Sequence, residues 1–209
     1  MTTKQTNIND YADLLKAFQL GLSNGIIGKR VIIEWADKII KQDEHPDYFL
    51  IELSLCGQKS IDDIVTLIQE FFKIQSPTLA SRVIIGLLHK QLIEKQITLK
   101  RVTEILESLI WKGQFTENEK TLLYGLNDEY ELAETKTFGC IKDIENSTLR
   151  FTVIYKDFQI DNFEEWQEIN NKIDLKVKKL YEKVVTIMKD ASSHHLLQKV
   201  DKRSWWKLW

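Results

Sequence analysis

DNFEEWQEINNKIDLKVKKLYEKVVTIMKDA, residues 161–191, is the stretch whose reading decides the fold. Phe163, Trp166, Asn170, Ile173, Val177, Leu180, Val184, Ile187 and Ala191 follow one another at alternating steps of three and four. A helix brings residues at that spacing onto one face, whereas a strand needs a period of two. Asp161-Asn162 supplies the start, and Asn170 is the one polar residue in the apolar seam. A coiled coil satisfies this count. So does a long helix laid along its own domain, and the second is the expectation, because globular amphipathic helices carry the same stripe.

Beyond the seam the chain changes character. His194-His195 are adjacent, so on a helix they diverge by about 100° and do not share a ligand site easily. The last seven residues are Arg203-Ser204-Trp205-Trp206-Lys207-Leu208-Trp209, and three of the six tryptophans fall in the final five positions. A terminus gains little by carrying large rings into water. Arg203, Trp205, Trp206, Lys207 and Trp209 therefore form a candidate contact tail. It can dock on the chain's own core, on a protein partner, or at a membrane surface, where indole and cationic side chains suit the headgroup region. Base stacking is the weakest reading, since the rest of the chain offers little basic support.

Upstream, helical punctuation repeats. Asn9 or Asp10 is expected to cap a helix with Tyr11, Leu14, Leu15 and Phe18 on one face, broken at Ser23-Asn24-Gly25. A second helix, from about Lys29 to Gln42, carries Val31, Ile32, Trp35, Ile39 and Ile40. Pro46 suits a helix start. The helix from Tyr48 to Cys56 is apolar on several sides and is expected to be central, with Gly57 as its left-handed cap. Ser60 with Asp63, and Thr116 with Glu119, have capping-box spacing. Ser76-Pro77 opens a helix through Val83, Ile84, Leu87 and Leu88. Thr98 caps one with Val102, Ile105, Leu106, Leu109 and Ile110 inward. Asn127 is expected to cap a short acidic segment that Gly139 closes. Leu149 to Tyr155 has strand composition but lacks a second strand to pair with, so helix is expected there too.

A shift of 71 residues places Lys29-Arg30-Val31 on Lys100-Arg101-Val102, Ile39 on Ile110 and Leu55 on Leu126. Two copies of a multi-helix unit would produce this, as in helical repeat arrays. Chance likeness between amphipathic helices is the alternative. The expected organisation is a helical domain over residues 8–158, a long helix over 160–200 and the tail 201–209.

Composition narrows the function classes. Net charge is −2 over 209 residues, with 29% charged residues, so no global field points to nucleic acid. Cys56 and Cys140 form neither a disulfide framework nor a metal motif and are expected to be reduced, half-buried thiols. The N-terminal ten residues lack an apolar signal core, and no apolar run approaches the roughly 20 residues of a membrane span. A cytoplasmic protein, peripheral at the membrane if the tail anchors it, is the resulting expectation. Gly-rich phosphate loops, serine elbows and paired-histidine metal helices are missing from the sequence. His45, beside Asp43, Glu44 and Asp47, reads as a solvated turn. No catalytic residue, metal site or cofactor is assigned; an enzyme built from dispersed carboxylates has no local signature and stays open as an alternative.

The strongest polar constellation is Asp128, Glu129, Glu131 and Glu134. Asp128, Glu131 and Glu134 recur at steps of three, on one side of a helix. Such a face can present negative charge to a basic partner, hold a divalent cation, or simply be solvated. Glu52, among Phe49, Ile51, Leu53 and Leu55, must reach solvent or a partner.

Two stretches, Ile33-Glu34-Trp35-Ala36-Asp37-Lys38-Ile39-Ile40 with Leu50-Ile51-Glu52-Leu53-Ser54-Leu55, and Tyr124-Gly125-Leu126-Asn127-Asp128-Glu129-Tyr130-Glu131-Leu132-Ala133-Glu134, carry a resemblance. Over about residues 10 to 158 the chain resembles small helical bacterial proteins without assigned activity, some of them immunity partners of secreted toxins. That resemblance implies an all-α fold and a protein partner, with a basic toxin domain as a candidate, and it carries no site residues across. The long helix and tail after residue 160 depart from the compact form of that group. The expectation is an all-α array or bundle that binds a partner without catalysis, as an immunity-like or adaptor protein, through its acidic face.

Overall fold

The computed structural model describes residues 7–71, 78–112 and 115–194. They form helices joined by short turns, with no strand among them. The chain divides into two compact units, Met1–Ile84 and Ile85–Trp209.

In the first unit a 3-10 turn, Ile8–Tyr11, leads into α1 (Ala12–Ser23), followed by α2 (Lys29–Ile40), α3 (Tyr48–Ser54) and α4 (Ile61–Phe71). Asn7, not Asn9 or Asp10, makes the first cap, its side chain accepting from the Asn9 amide. α1 packs on α4 and α2 packs on α3. Leu14, Leu15, Phe18, Ile32, Ala36, Leu50, Leu53, Ile64 and Ile68 close the core between them. The Trp35 ring meets Tyr11 and Phe18 edge-on, at 5.3 and 5.4 Å between centroids. Such pairs stabilise beyond the area they bury. The Ser60–Asp63 capping box is formed in both directions, with amide-to-oxygen distances of 3.1 Å.

α3 corrects three expectations. It is not central: Phe49, Leu50 and Leu53 are buried, but Tyr48, Ile51 and Leu55 face solvent. A helix of two turns has room for one buried stripe, so apolar residues off that stripe stay outside. Its cap is Asp47, whose side chain accepts from the Phe49 amide at 2.8 Å, and Pro46 precedes the helix instead of opening it. Gly57 lies in a 3-10 turn, Cys56–Gln58, and has no left-handed backbone. Cys56 is fully buried and Cys140 exposed, so neither thiol is half-buried; both are free.

α5 (Thr78–Ile93) runs across the boundary into the second unit, which continues with α6 (Leu99–Lys112), α7 (Glu117–Leu123), α8 (Leu126–Glu134), α9 (Ile141–Thr152) and α10 (Trp166–His194). α6 packs on α7 and α8, α8 on α9, and α10 on α7. The Leu149–Tyr155 stretch is helical, ending as a 3-10 turn, Val153–Tyr155. α10 uses its seam within this chain: Trp166, Ile173, Val177 and Val184 are all buried. Trp166 also donates its indole N–H to the Gln159 carbonyl at 2.8 Å, so its buried polar atom is satisfied. Ser76-Pro77, the side chains of Ile187 and Ala191, His195 and the tail from 201 to 209 lie outside the described residues. No helix among the described residues is long and apolar enough to cross a membrane.

Three helices end in the same way. At α1 the Gly25 amide bonds the Leu22 carbonyl and the Ile26 amide that of Gly21. At α5 Lys95 bonds Leu92 and Gln96 bonds Gln91; at α8 Lys136 bonds Ala133 and Thr137 bonds Leu132. Each is a Schellman closure with its left-handed residue at φ 71°, 57° and 57° respectively. Lys136 therefore closes α8, and Gly139 takes a second left-handed position three residues on. The first two closures lie 70 residues apart, and α2 and α6 start 70 apart as well. At that shift buried Ile32, Ala36 and Ile39 fall on buried Val102, Leu106 and Leu109. The recurrence is thus in register at 70, not 71. The matching Val31 and Val102 are not equivalent, since Val31 is 40% exposed and Val102 is buried.

Candidate functional site

The acidic segment folds as α8, and it starts differently from expectation. Gly125, left-handed at φ 81°, is the cap residue, while Asn127 lies inside the first turn. Its amide side chain is used laterally, accepting from the Thr103 hydroxyl of α6 at 3.1 Å and reaching Glu131 at 3.5 Å. Thr103 is buried, so this bond helps set α8 on α6.

The four acidic residues do not act as one group. Glu134 pairs with Lys100 of α6 at 2.8 Å and accepts from the Tyr130 hydroxyl at 3.4 Å. The hydrogen bond from Lys100 holds its carboxyl below the usual value. Glu129 points to the other side of α8 and is half-buried; burial, then the neighbouring Asp128 charge, pushes its carboxyl up. Asp128 and Glu131 remain exposed, with no ion partner among the described residues. The face that α8 offers as unneutralised charge is therefore Asp128 with Glu131. Nowhere among the described residues do three or more His, Cys, Asp or Glu side chains gather to hold a metal ion.

Beside Asp128 the turn between α7 and α8 meets the C-terminal half of α6 and leaves a cleft of about 90 Å³. Glu107, Ile110, Trp111, Leu123, Tyr124, Gly125, Leu126, Asn127 and Asp128 line it. Trp111 is 75% exposed and Tyr124 73%. Burying these rings fully would place them among the core aromatics, yet both stand at the rim. A larger and more open hollow of about 370 Å³ lies along α10, lined by Asp157, Asn162, Glu165, Ile169, Lys172 and Lys176. Its charges meet one another, with Lys176 and Asp157 at 3.6 Å and Lys172 tied to Glu168 at 2.6 Å. Asn162 is spent on capping, accepting from the Gln159 amide at 3.0 Å.

No protein-family model, curated protein or solved structure matches this chain. His45 is exposed in its turn, where the amide bonds the Asp43 carboxylate at 2.9 Å. His89 is half-buried, its Nδ1 3.0 Å from the Thr152 hydroxyl, and burial followed by the Lys156 charge holds it below its usual value. Glu52 finds Lys59 at 3.1 Å, which resolves its place on an apolar helix. Arg203, Trp205, Trp206, Lys207 and Trp209 lie outside the described residues.

Glu107, Trp111 and Tyr124 were not legible as a group. Trp111 falls off the inward stripe Val102, Ile105, Leu106 and Leu109, which is the one local sign of an outward aromatic. Its meeting with Tyr124 and Asp128 needs α6 and α8 to be packed first.

Proposed function

We propose that this chain is a non-catalytic binding module, immunity-like or adaptor in kind, that occludes a protein partner carrying a cationic surface. The observation that carries the reading is the pair of exposed, unneutralised carboxylates Asp128 and Glu131 on α8. Charge left uncompensated on a well-formed helix attracts an opposite surface and raises the encounter rate. The resemblance of the segments around Trp35 and Tyr124 to small helical immunity-type proteins supports the same reading. A specific interface of ordinary size needs about 800 Å² from each side, which one helical face and its flanking turns can offer.

The test begins with a partner isolated on tagged full-length protein from both soluble and membrane fractions. Asp128→Lys with Glu131→Lys should then slow association about 3- to 10-fold and flatten its salt dependence. Unchanged association kinetics would remove α8 as the binding face. Recovery only with membranes, lost on deletion of residues 204–209, would instead favour an anchoring role for the tail.

A further inference from the structure

We propose that the cleft between α6 and the α7–α8 turn is the anchoring pocket for one arginine side chain of the partner; the proposal rests on the binding-module reading above. Its volume of about 90 Å³ suits a single side-chain head. Sites for drug-sized small molecules are usually several times larger. Two exposed rings, Trp111 and Tyr124, stand at it, and two carboxylates, Glu107 and Asp128, line it. Among the described residues no basic side chain lines the cleft. Glu107 is half-buried and has no ion partner among the described residues. A carboxylate partly withdrawn from water and left unpaired is stabilised by an incoming cation, and an exposed indole offers that cation its negative face. A guanidinium meets both demands together. It stacks flat on an aromatic ring while its N–H groups bond a carboxylate in the plane, whereas an ammonium is a compact and strongly hydrated point charge. Aromatic and arginine anchors in desolvated pockets are also where binding energy concentrates at interfaces. The hollow along α10 makes no equal claim, because its lysines and carboxylates already neutralise one another.

The experiment uses full-length protein with every nitrogen labelled, so that indole and backbone amide signals are both read, the Trp111 signal being assigned from Trp111→Phe. The probe is the capped tripeptide Gly-Arg-Gly, titrated to millimolar concentration, with the tripeptides carrying lysine or norleucine in place of arginine as comparators. The expected result is a saturable shift of the Trp111 indole and the Gly125 amide with the arginine peptide. The lysine peptide should bind at least about threefold more weakly, and norleucine should give no saturable shift. Glu107→Gln should weaken arginine binding about tenfold while the remaining spectrum is unchanged. No shift with arginine, or equal shifts with norleucine, overturns the proposal. It is also overturned if the arginine peptide binds only after residues 203–209 are deleted and that deletion alone moves the Trp111 signal, because the occupant is then the chain's own tail. Charge-sensitive partner association that survives Trp111→Ala and Glu107→Gln undiminished would refute the pocket while leaving the acidic-face reading intact.

Discussion

Glu119 is fully buried and ionisable, and its surroundings explain why the fold tolerates it. One carboxylate oxygen accepts the Thr116 amide at 2.9 Å and the Thr116 hydroxyl at 2.7 Å; the other accepts the Tyr155 hydroxyl at 2.7 Å. A capping box thus doubles as a tie between α7 and the end of α9. Tyr155→Phe leaves a buried oxygen one donor short and should cost about 1–3 kcal/mol, read as a lower urea midpoint with an unchanged slope. Nearby, a Cβ at Gly86 would lie 2.5 Å from the Tyr155 carbonyl and 2.9 Å from the Phe158 Cβ, so glycine there serves close approach of backbone. Glu129 gives the opposite kind of residue, one that the fold holds at a cost. Burial raises its carboxyl above the ordinary 4.5, so around that pH the folded chain keeps a proton that the unfolded chain has released. The cost of burying its charge is absent below that ordinary value, and stability is lost as pH rises through the higher folded one. Glu129→Gln should therefore raise the melting temperature at about pH 7 and leave it unchanged near pH 4, as a paired set of thermal melts would show.

At the scale of elements, the recurring helix closure makes different demands on the residue at its left-handed position. Gly25 meets that demand without strain, whereas Lys95 and Lys136 hold φ of 57° with a side chain present. Gly25→Ala should destabilise by about 1 kcal/mol, because open space around the site leaves the backbone conformation as the only obstacle. Lys95→Gly should stabilise by a few tenths of a kcal/mol to about 1, the relief of strain being partly offset by a more flexible unfolded chain. Denaturation curves of the two variants should move in opposite directions. α10 offers a third contrast. Its regular seam alone suits a partner helix as well as its own domain, but Ile173 is wholly buried within this chain. Ile173→Ala should cost about 2–5 kcal/mol at a fixed protein concentration, and the loss should not depend on that concentration. A loss that fades on dilution would place the seam between chains.

Over the whole molecule, a net charge of −2 gives little long-range field, so any steering must come from local asymmetry. Partner association should slow on raising salt, and the Asp128→Lys, Glu131→Lys protein should have lost most of that response. Helical class, the caps at Ser60, Thr98 and Thr116, and the period of residues 163–184 were legible in the sequence by itself. Each depends on residues within one or two turns of one another, and hydrogen bonds at that range are set by the local chain. The acidic segment was legible as composition, but its division into a paired Glu134, a half-buried Glu129 and an exposed Asp128 with Glu131 was not. The sidelong place of α3, the 70-residue register and the cleft at Trp111 were decided only by tertiary structure. Periodicity says that a helix has an inner face; it does not say which helix will cover it, nor which outer side chains two packed helices will bring together. Glu107 and Asp128 come to line one cleft because α6 packs on α8, and packing of that kind is driven by the burial of apolar surface.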